Sequence, residues 1–492
     1  MAQVSRRQFL RAGTGLAFGA GLGTPFLQWL ADGSNEAIAT PAIWKDLATS
    51  LEGNLFRPDS AKFAERARPW ALRYADKLPQ GIAQCTSEKD IRTCLQWAQA
   101  HKIPLVTRSG GHSYAGYSTT TGLMISVSAL NSVNADQATG LAILGGGARN
   151  RNVYAECKPL DRAVTHGRCK DVGVAGLVLG GGIGFNMRSQ GLTCDQLVET
   201  KIMLANGRVI TCNEKNYADL FWACRGAGGG NFGIHTSFTF QTFPVDRLTV
   251  FQLTWTDKIV DTFKAIQTMT EKAPEGLGIK VSITAKKQAN STVLSLSILG
   301  QLTGSMDELN ALLAPILTVQ RPATNTIQNL PYWEAQEFVS EEGLPEYSHE
   351  RSRFVKGQLS DQAIATIISN LNAWPGTSLA ATWKYFLLGG KIDQKRPEDM
   401  AFVHRGYSML SSIELEWKPE DLQVIADNER WLSTFHDQME DYTTAYCYQN
   451  FIDPSQKNYL QAYYGDNLPK LQAIKRKYDP TNLFRYPQSI PV

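Results

Sequence analysis

The stretch Arg108-Ser109-Gly110-Gly111-His112-Ser113-Tyr114 decides how this chain is read. It follows an apolar run, Ile103-Pro104-Leu105-Val106, that reads as a short strand, and it supplies two glycines, two serines and an imidazole. Glycines let a backbone approach a phosphate closely and turn its N–H groups toward it. Farther on, Gly167-Arg168-Cys169 runs into Val172-Gly173-Val174-Ala175-Gly176 and then Gly180-Gly181-Gly182-Ile183-Gly184. An imidazole and a thiol, each beside a glycine-dense cradle, suit a cofactor anchored through two side chains. The plainer readings are a loop histidine that caps a turn and a buried core cysteine.

Around these loops the pattern alternates short strands and helices. Residues 44–72 are expected as a helical lead. Thr86 or Ser87, with Glu88 and Asp90 in the first turn, should cap a helix that closes near His101. Strands are expected over 104–107, 124–127 and 141–144, with 131–139 as a hairpin and a helix from Ala148 through Tyr154. Segments 198–204 and 208–212 flank Asn206-Gly207, a strong hairpin signal. A short helix at 219–222 precedes Gly228-Gly229-Gly230-Asn231-Phe232-Gly233, which formally matches G-x-G-x-x-G. A dinucleotide fold needs a strand before that motif and a helix after it. Here a helix leads in and a strand, 234–240, leads out, so that reading is rejected.

The next section is strand-rich (249–255, 279–284, 293–299), with amphipathic helices at 261–271 and 307–313. An antiparallel sheet with helices behind it is expected. Its aromatics, among them Tyr332, Trp333, Trp374, Trp383, Tyr385, Phe386 and Tyr407, should be mostly core. Glu414 and Glu416 alternate with Leu415 before Trp417. They could project a carboxylate toward a substrate or line a wet sheet face, and the wet face is the favoured reading.

At 492 residues the chain exceeds one typical core, and 43% hydrophobic with 10% aromatic residues is an ordinary globular composition. A net charge of +3 without a block of like charges offers no footprint for nucleic acid. The basic residues Lys470, Lys475, Arg476 and Lys477 read as a solvated helix face. Eight cysteines show no C-x-x-C and no zinc spacing, so no metal site is expected. Cys85 and Cys94 flank a helix start and could pair; most of the other cysteines read as small buried hydrophobes. Ser5-Arg6-Arg7-Gln8-Phe9-Leu10 is a twin-arginine pattern, followed by a weakly apolar, glycine-rich stretch and Ala37-Ile38-Ala39 as a cleavage site. A membrane anchor is the competing reading of that stretch, which its glycines weaken. Residues 1–39 are thus expected to be a signal peptide of a bacterial protein, periplasmic or secreted, whose mature chain has no stable membrane insertion.

From about Arg73 to the C-terminus the chain resembles the berberine-bridge-enzyme-like flavin oxidases of the vanillyl-alcohol-oxidase/p-cresol-methylhydroxylase superfamily. The motifs that carry the resemblance are R-S-G-G-H, G-x-C-x-x-V-G and, at Tyr448-Gln449-Asn450-Phe451-Ile452-Asp453, Y-x-N-[YF]-x-D. It implies bicovalent FAD, with His112 bonded to the flavin 8α-methyl and Cys169 to C6. Gly226 to Ile234 becomes part of the adenine end. The implied cofactor-binding set adds Arg108, Ser109, Gly110, Gly111, Ser113, Val172, Gly173, Gly176, Gly182, Gly233, Ile234 and Asn450. The implied fold is α+β: a two-subdomain p-cresol-methylhydroxylase-type FAD-binding domain over 40–246, an antiparallel-sheet substrate domain over 247–440, and a C-terminal segment, 441–492, that returns to the FAD domain. With Cys169 taken by flavin, seven cysteines remain, so at least one is free or intermolecular.

The implied chemistry is oxidation of an alcohol, with carbohydrates as the favoured substrate class and dioxygen as the acceptor. Tyr448 is the implied base. Its reference pKa near ~10 requires a neighbour that stabilises phenolate, and Tyr114 is the candidate. Val172 stands where side-chain size governs oxygen access in this family, and valine favours an oxidase. Two departures concern the catalytic set: Leu177 stands where many plant members carry histidine, and Ile183 where they carry an aromatic. The competing functions are oxidation of a polycyclic or phenolic metabolite, electron transfer to a carrier, and binding without turnover.

Overall fold

The computed structural model describes residues 40–289 and 291–492; the expected signal segment lies outside the described residues. Three main sheets organise the chain. In the first, Asn54–Phe56 pairs antiparallel with Gly81–Gln84, and Leu123–Ser126 lies parallel between Gly81–Gln84 and Leu105–Arg108. The second is antiparallel, in the order Val133–Asp136, Leu141–Gly145, Ile234–Gln241, Leu197–Met203, Val209–Asn213. The third has seven antiparallel strands: Thr324–Pro331, Arg247–Trp255, Ser291–Leu302, Leu277–Gln288, Ala381–Leu387, Met409–Trp417 and Tyr347–Val355.

Local chemistry explains where these elements begin and end. Ser87 caps helix Glu88–Ala100 through the Asp90 N–H, as expected. The helical lead over 44–72 is broken instead. Its first helix, Pro41–Ser50, stops because the buried Asp90 carboxylate accepts the Glu52 and Gly53 N–H groups at 2.7 and 3.0 Å. A strand and a second short helix, Phe63–Ala67, follow. The expected hairpin over 131–139 is also redrawn. Val133–Asp136 is itself a strand, and Asp136 closes the turn by accepting from Ala138 N–H and the Thr139 hydroxyl.

The seven-stranded sheet separates two environments. Val281, Ile283, Trp383, Tyr385, Ile413 and Leu415 face one way into an apolar core. Helices Ile259–Glu271, Met306–Val319, Asp361–Asn372 and Ile425–Gln438 supply Phe263, Leu313, Ile367 and Phe435 to that core. The alternate residues, including Lys280, Ser282, Lys384, Ser412 and Glu414, face the opposite way, because side chains alternate along a strand. The C-terminal helix Leu468–Tyr478 packs against the first half of the chain. Its Lys475 is not solvated: it is fully buried, bonding Asp479 at 2.7 Å and the carbonyls of Asn231 and Phe484 at 2.7 and 2.6 Å. Cys85 and Cys94 are both buried thiols, with sulfurs 3.9 Å apart. Among the described residues no helix is long and apolar enough to cross a membrane.

Candidate active site

Two loops meet backbone to backbone at the head of a cavity of about 700 Å³. A Cβ on Gly110 would lie 2.3 Å from the Gly173 nitrogen, so only glycine lets the histidine loop and the cysteine loop touch. Gly111 also needs glycine, with φ +77°. His112, Ser113, Cys169, Val172, Gly176, Gly233, Ile234, Tyr448 and Asn450 all line the cavity, as do Ser109, Gly110, Gly111, Gly173 and Tyr114. Two members of the implied set stand apart. The Arg108 guanidinium turns away to bond the carbonyls of Arg66, Ala67, Arg68 and Ser118, anchoring the loop from behind. Gly182 lies off the cavity lining and donates its N–H to the Tyr448 hydroxyl at 3.0 Å.

The cavity's polar groups fit FAD. Ser109 and Ser118 line it with buried hydroxyls that have no hydrogen-bond partner among the described residues. Among the described residues outside its own helix, nothing lies within 4 Å of a Cβ added to Gly176, and beyond its chain neighbours nothing lies closer than 3.9 Å to one on Gly229, so both present open backbone to the cavity. Unpartnered hydroxyls and bare backbone are what a pyrophosphate requires.

His112 stacks on Trp70 at 4.3 Å, and its Nε2 lies 3.3 Å from the Gly343 carbonyl. A carbonyl only accepts, so Nε2 carries the proton and Nδ1 keeps the nucleophilic lone pair. Burial lowers the imidazole pKa to about 4, which keeps it neutral. The Cys169 thiol is raised by burial, an effect opposed by the Arg168 charge. Its loop is held by Asn150 Nδ2 on the Cys169 carbonyl at 2.8 Å and by the Tyr154 hydroxyl on the Gly167 carbonyl at 2.8 Å. Glu341 to Gly343 straps across both anchors. Glu341 pairs with Arg168 and Lys280, and an added Cβ on Gly343 would sit 3.0 Å from the Cys169 Cβ and 3.2 Å from His112 Nε2. Neither Trp70 nor this strap carried a motif that pointed to it.

Tyr448 is 1% exposed, and its oxygen accepts from Gly182 N–H and from Asn450 Nδ2, each at 3.0 Å. Burial raises its pKa, while these two donors pull it back. Among the described residues no hydrogen bond joins Tyr114 to Tyr448; Phe451 packs against both phenols, its ring centroid 5.3 Å from that of Tyr114 and 5.1 Å from that of Tyr448. The tyrosine–asparagine spacing within the motif carries the signal for this hydrogen bond, whereas Asn450 was expected only in the cofactor-binding set. Glu414 and Glu416 do not line a merely wet face: both border the cavity.

Residues 79–213 match the FAD binding domain family, and residues 447–491 match the berberine and berberine-like family. The chain is 31% identical over 452 residues to the uncharacterized FAD-linked oxidoreductase YgaK of Bacillus subtilis, spanning 90% of this chain and 98% of that protein. The structure of BBE-like 1 from Physcomitrella patens aligns with a TM-score of 0.83 at 27% identity, over 91% of this chain and 99% of that one. Glucooligosaccharide oxidase from Acremonium strictum, described with a 6-S-cysteinyl, 8α-N1-histidyl FAD, aligns with a TM-score of 0.78 at 27% identity, over 91% and 98%. Matches of this breadth, together with the glycine-lined cavity, place the chain in the berberine-bridge-enzyme-like family of FAD-linked oxidases.

Proposed function

We propose that the chain holds FAD through both His112 and Cys169 and oxidises an alcohol group of a carbohydrate to a carbonyl or lactone. One observation carries the substrate class. Of the residues of the seven-stranded sheet that line the cavity, Lys280, Lys384, Glu414 and Glu416 are charged and Phe386 is apolar, so charge dominates that wall. Hydroxyl-rich rings can hydrogen-bond such groups, whereas a polycyclic or phenolic substrate would strip water from them and offer few partners in return. The glucooligosaccharide oxidase relative supports this reading and the two-bond attachment.

When bound, FAD supplies a hydride acceptor that dioxygen reoxidises with release of hydrogen peroxide. Tyr448 accepts the substrate's hydroxyl proton, and the Gly182 and Asn450 N–H groups stabilise the phenolate that does so. Tyr114 faces the same cavity from the far side of Phe451 and contacts the substrate instead of supporting Tyr448. Val172 lines the wall where its modest bulk leaves room for dioxygen.

The test is anaerobic mixing of the purified protein with a panel of sugars and aromatic alcohols. Sugars should bleach the flavin, and air should then yield peroxide. Bleaching by aromatic alcohols alone would overturn the carbohydrate reading in favour of a phenolic substrate. We also propose export by the twin-arginine machinery to the periplasm or medium, with cleavage near Ala39. Arg6-Arg7→Lys-Lys should then retain the protein in the cytoplasm with its leader attached, and normal export of that variant would contradict it.

A further inference from the structure

Two charged residues of the sheet wall, Lys384 and Glu414, belong to an ion triad that has no step assigned in the chemistry above. Lys384 Nζ lies 2.7 Å from Glu414 Oε2 and 3.2 Å from Glu350 Oε1, and the Ser412 hydroxyl donates to Glu350 Oε1 at 2.5 Å. Strand register builds this arrangement: Glu350 is the cross-strand partner of Glu414, and Lys384 is that of Ser412. Lys384 and Glu350 are each 2% exposed, whereas Glu414 is half-buried and borders the cavity with Lys384. Taking such charges out of water costs several kcal/mol per ion unless they are held in good geometry. Here the buried Glu350 fixes the ammonium, and the ammonium fixes one oxygen of Glu414. The ammonium bonds Oε2, and the half-buried carboxylate borders the cavity.

Two chemical roles suit a cavity-facing carboxylate, and the surroundings separate them. A general base works best with a pKa near the working pH. Burial would raise Glu414, but Lys384, Arg168 and Lys280 outweigh it and keep the carboxyl below its usual range. A carboxylate pinned in its ionised form is a weak base and a permanent hydrogen-bond acceptor.

We infer that Glu414, clamped by Lys384, is the specificity-determining residue that accepts a hydrogen bond from a second substrate hydroxyl, so that the site selects a polyhydroxyl ring over a lone alcohol. This rests on the carbohydrate reading above and names the group that enforces it.

The test compares anaerobic flavin reduction of wild type, Glu414→Gln and Glu414→Asp. The probes are the sugar that bleaches best and its monodeoxy analogues. A hydrogen bond to a charged group implies that Glu414→Gln raises the half-saturating sugar concentration ~10- to 100-fold. The limiting rate should stay within a few-fold. One monodeoxy analogue should serve wild type and variant equally poorly, which shows that the lost partner is that hydroxyl. Glu414→Asp, which keeps the charge opposite Lys384, should fall between the two and covers the case in which the amide variant folds badly. A limiting rate lowered 100-fold at unchanged half-saturation would overturn the assignment, as would a wild type indifferent to every deoxy position. A wild type that no sugar reduces would instead sink the carbohydrate reading before any variant is made.

Discussion

The two walls of the cavity are built by opposite rules. The loop wall, Ser109 to Ser113 against Cys169 to Gly176, works through backbone, and Gly110 and Gly173 are in contact only because neither has a Cβ. The sheet wall works through long side chains whose ends meet because strand register places Lys384, Glu350 and Glu414 together. A substitution on the loop wall should therefore decide whether flavin is held at all. One on the sheet wall should decide what is oxidised and how the fold tolerates its buried charges.

The sharpest break between the walls is Gly110→Ala, which forces a methyl group to 2.3 Å from the Gly173 nitrogen. The variant should lose flavin outright, seen as the absence of flavin absorbance in purified protein; wild-type loading would mean that the loops do not abut. Tyr448→Phe comes next. It should keep the covalent spectrum yet slow anaerobic reduction ~10²- to 10⁴-fold, the usual loss for a general base. A rate within a few-fold of wild type would move the base elsewhere. Tyr114→Phe should slow reduction less.

On the sheet wall the first effect should be in stability. Lys384→Met strips the cation from between Glu350 and Glu414, and breaking a buried pair costs about 3–5 kcal/mol. Denaturant unfolding should show that loss, partly recovered in mild acid as Glu350 takes up a proton. The smallest effect concerns Glu416, whose carboxyl is pushed up to about 7 by burial and by the nearby Glu414 charge. A carboxyl raised in the folded state stabilises the protein while protonated, and that contribution fades as pH climbs from about 4.5 through about 7. Glu416→Gln should flatten the fall in melting temperature over that window, whereas an unchanged slope would assign the fall to other groups.

What was legible before the structure was local. Asn206-Gly207 forced a hairpin between Leu197–Met203 and Val209–Asn213, and Ser87 with Asp90 marked a helix start. The glycine loops declared themselves because a backbone role leaves glycine as its trace. The rest depended on partners distant along the chain. Trp70 stacks on His112 although nothing around it resembles a site. Arg108 belongs to the histidine motif, yet its guanidinium serves carbonyls some forty residues away. Strand alternation placed Glu414 and Glu416 on one face, but only the neighbouring strands show that the face meets the cavity. Lys384 lies between Trp383 and Tyr385, whose side chains face the apolar core, and no motif singled it out as part of the cavity wall.

The most direct measurement concerns the loop wall's two anchors. Acid-denatured, protease-digested protein can be separated and weighed by mass spectrometry. Both His112 and Cys169 border Gly343 on one side of the cavity. The expected result is one flavin-coloured species whose mass equals the His112 peptide, the Cys169 peptide and the flavin joined together. Each single alanine variant should leave a flavin attached to the remaining peptide. Free flavin released from the wild type, with both peptides at their unmodified masses, would contradict the two-anchor site.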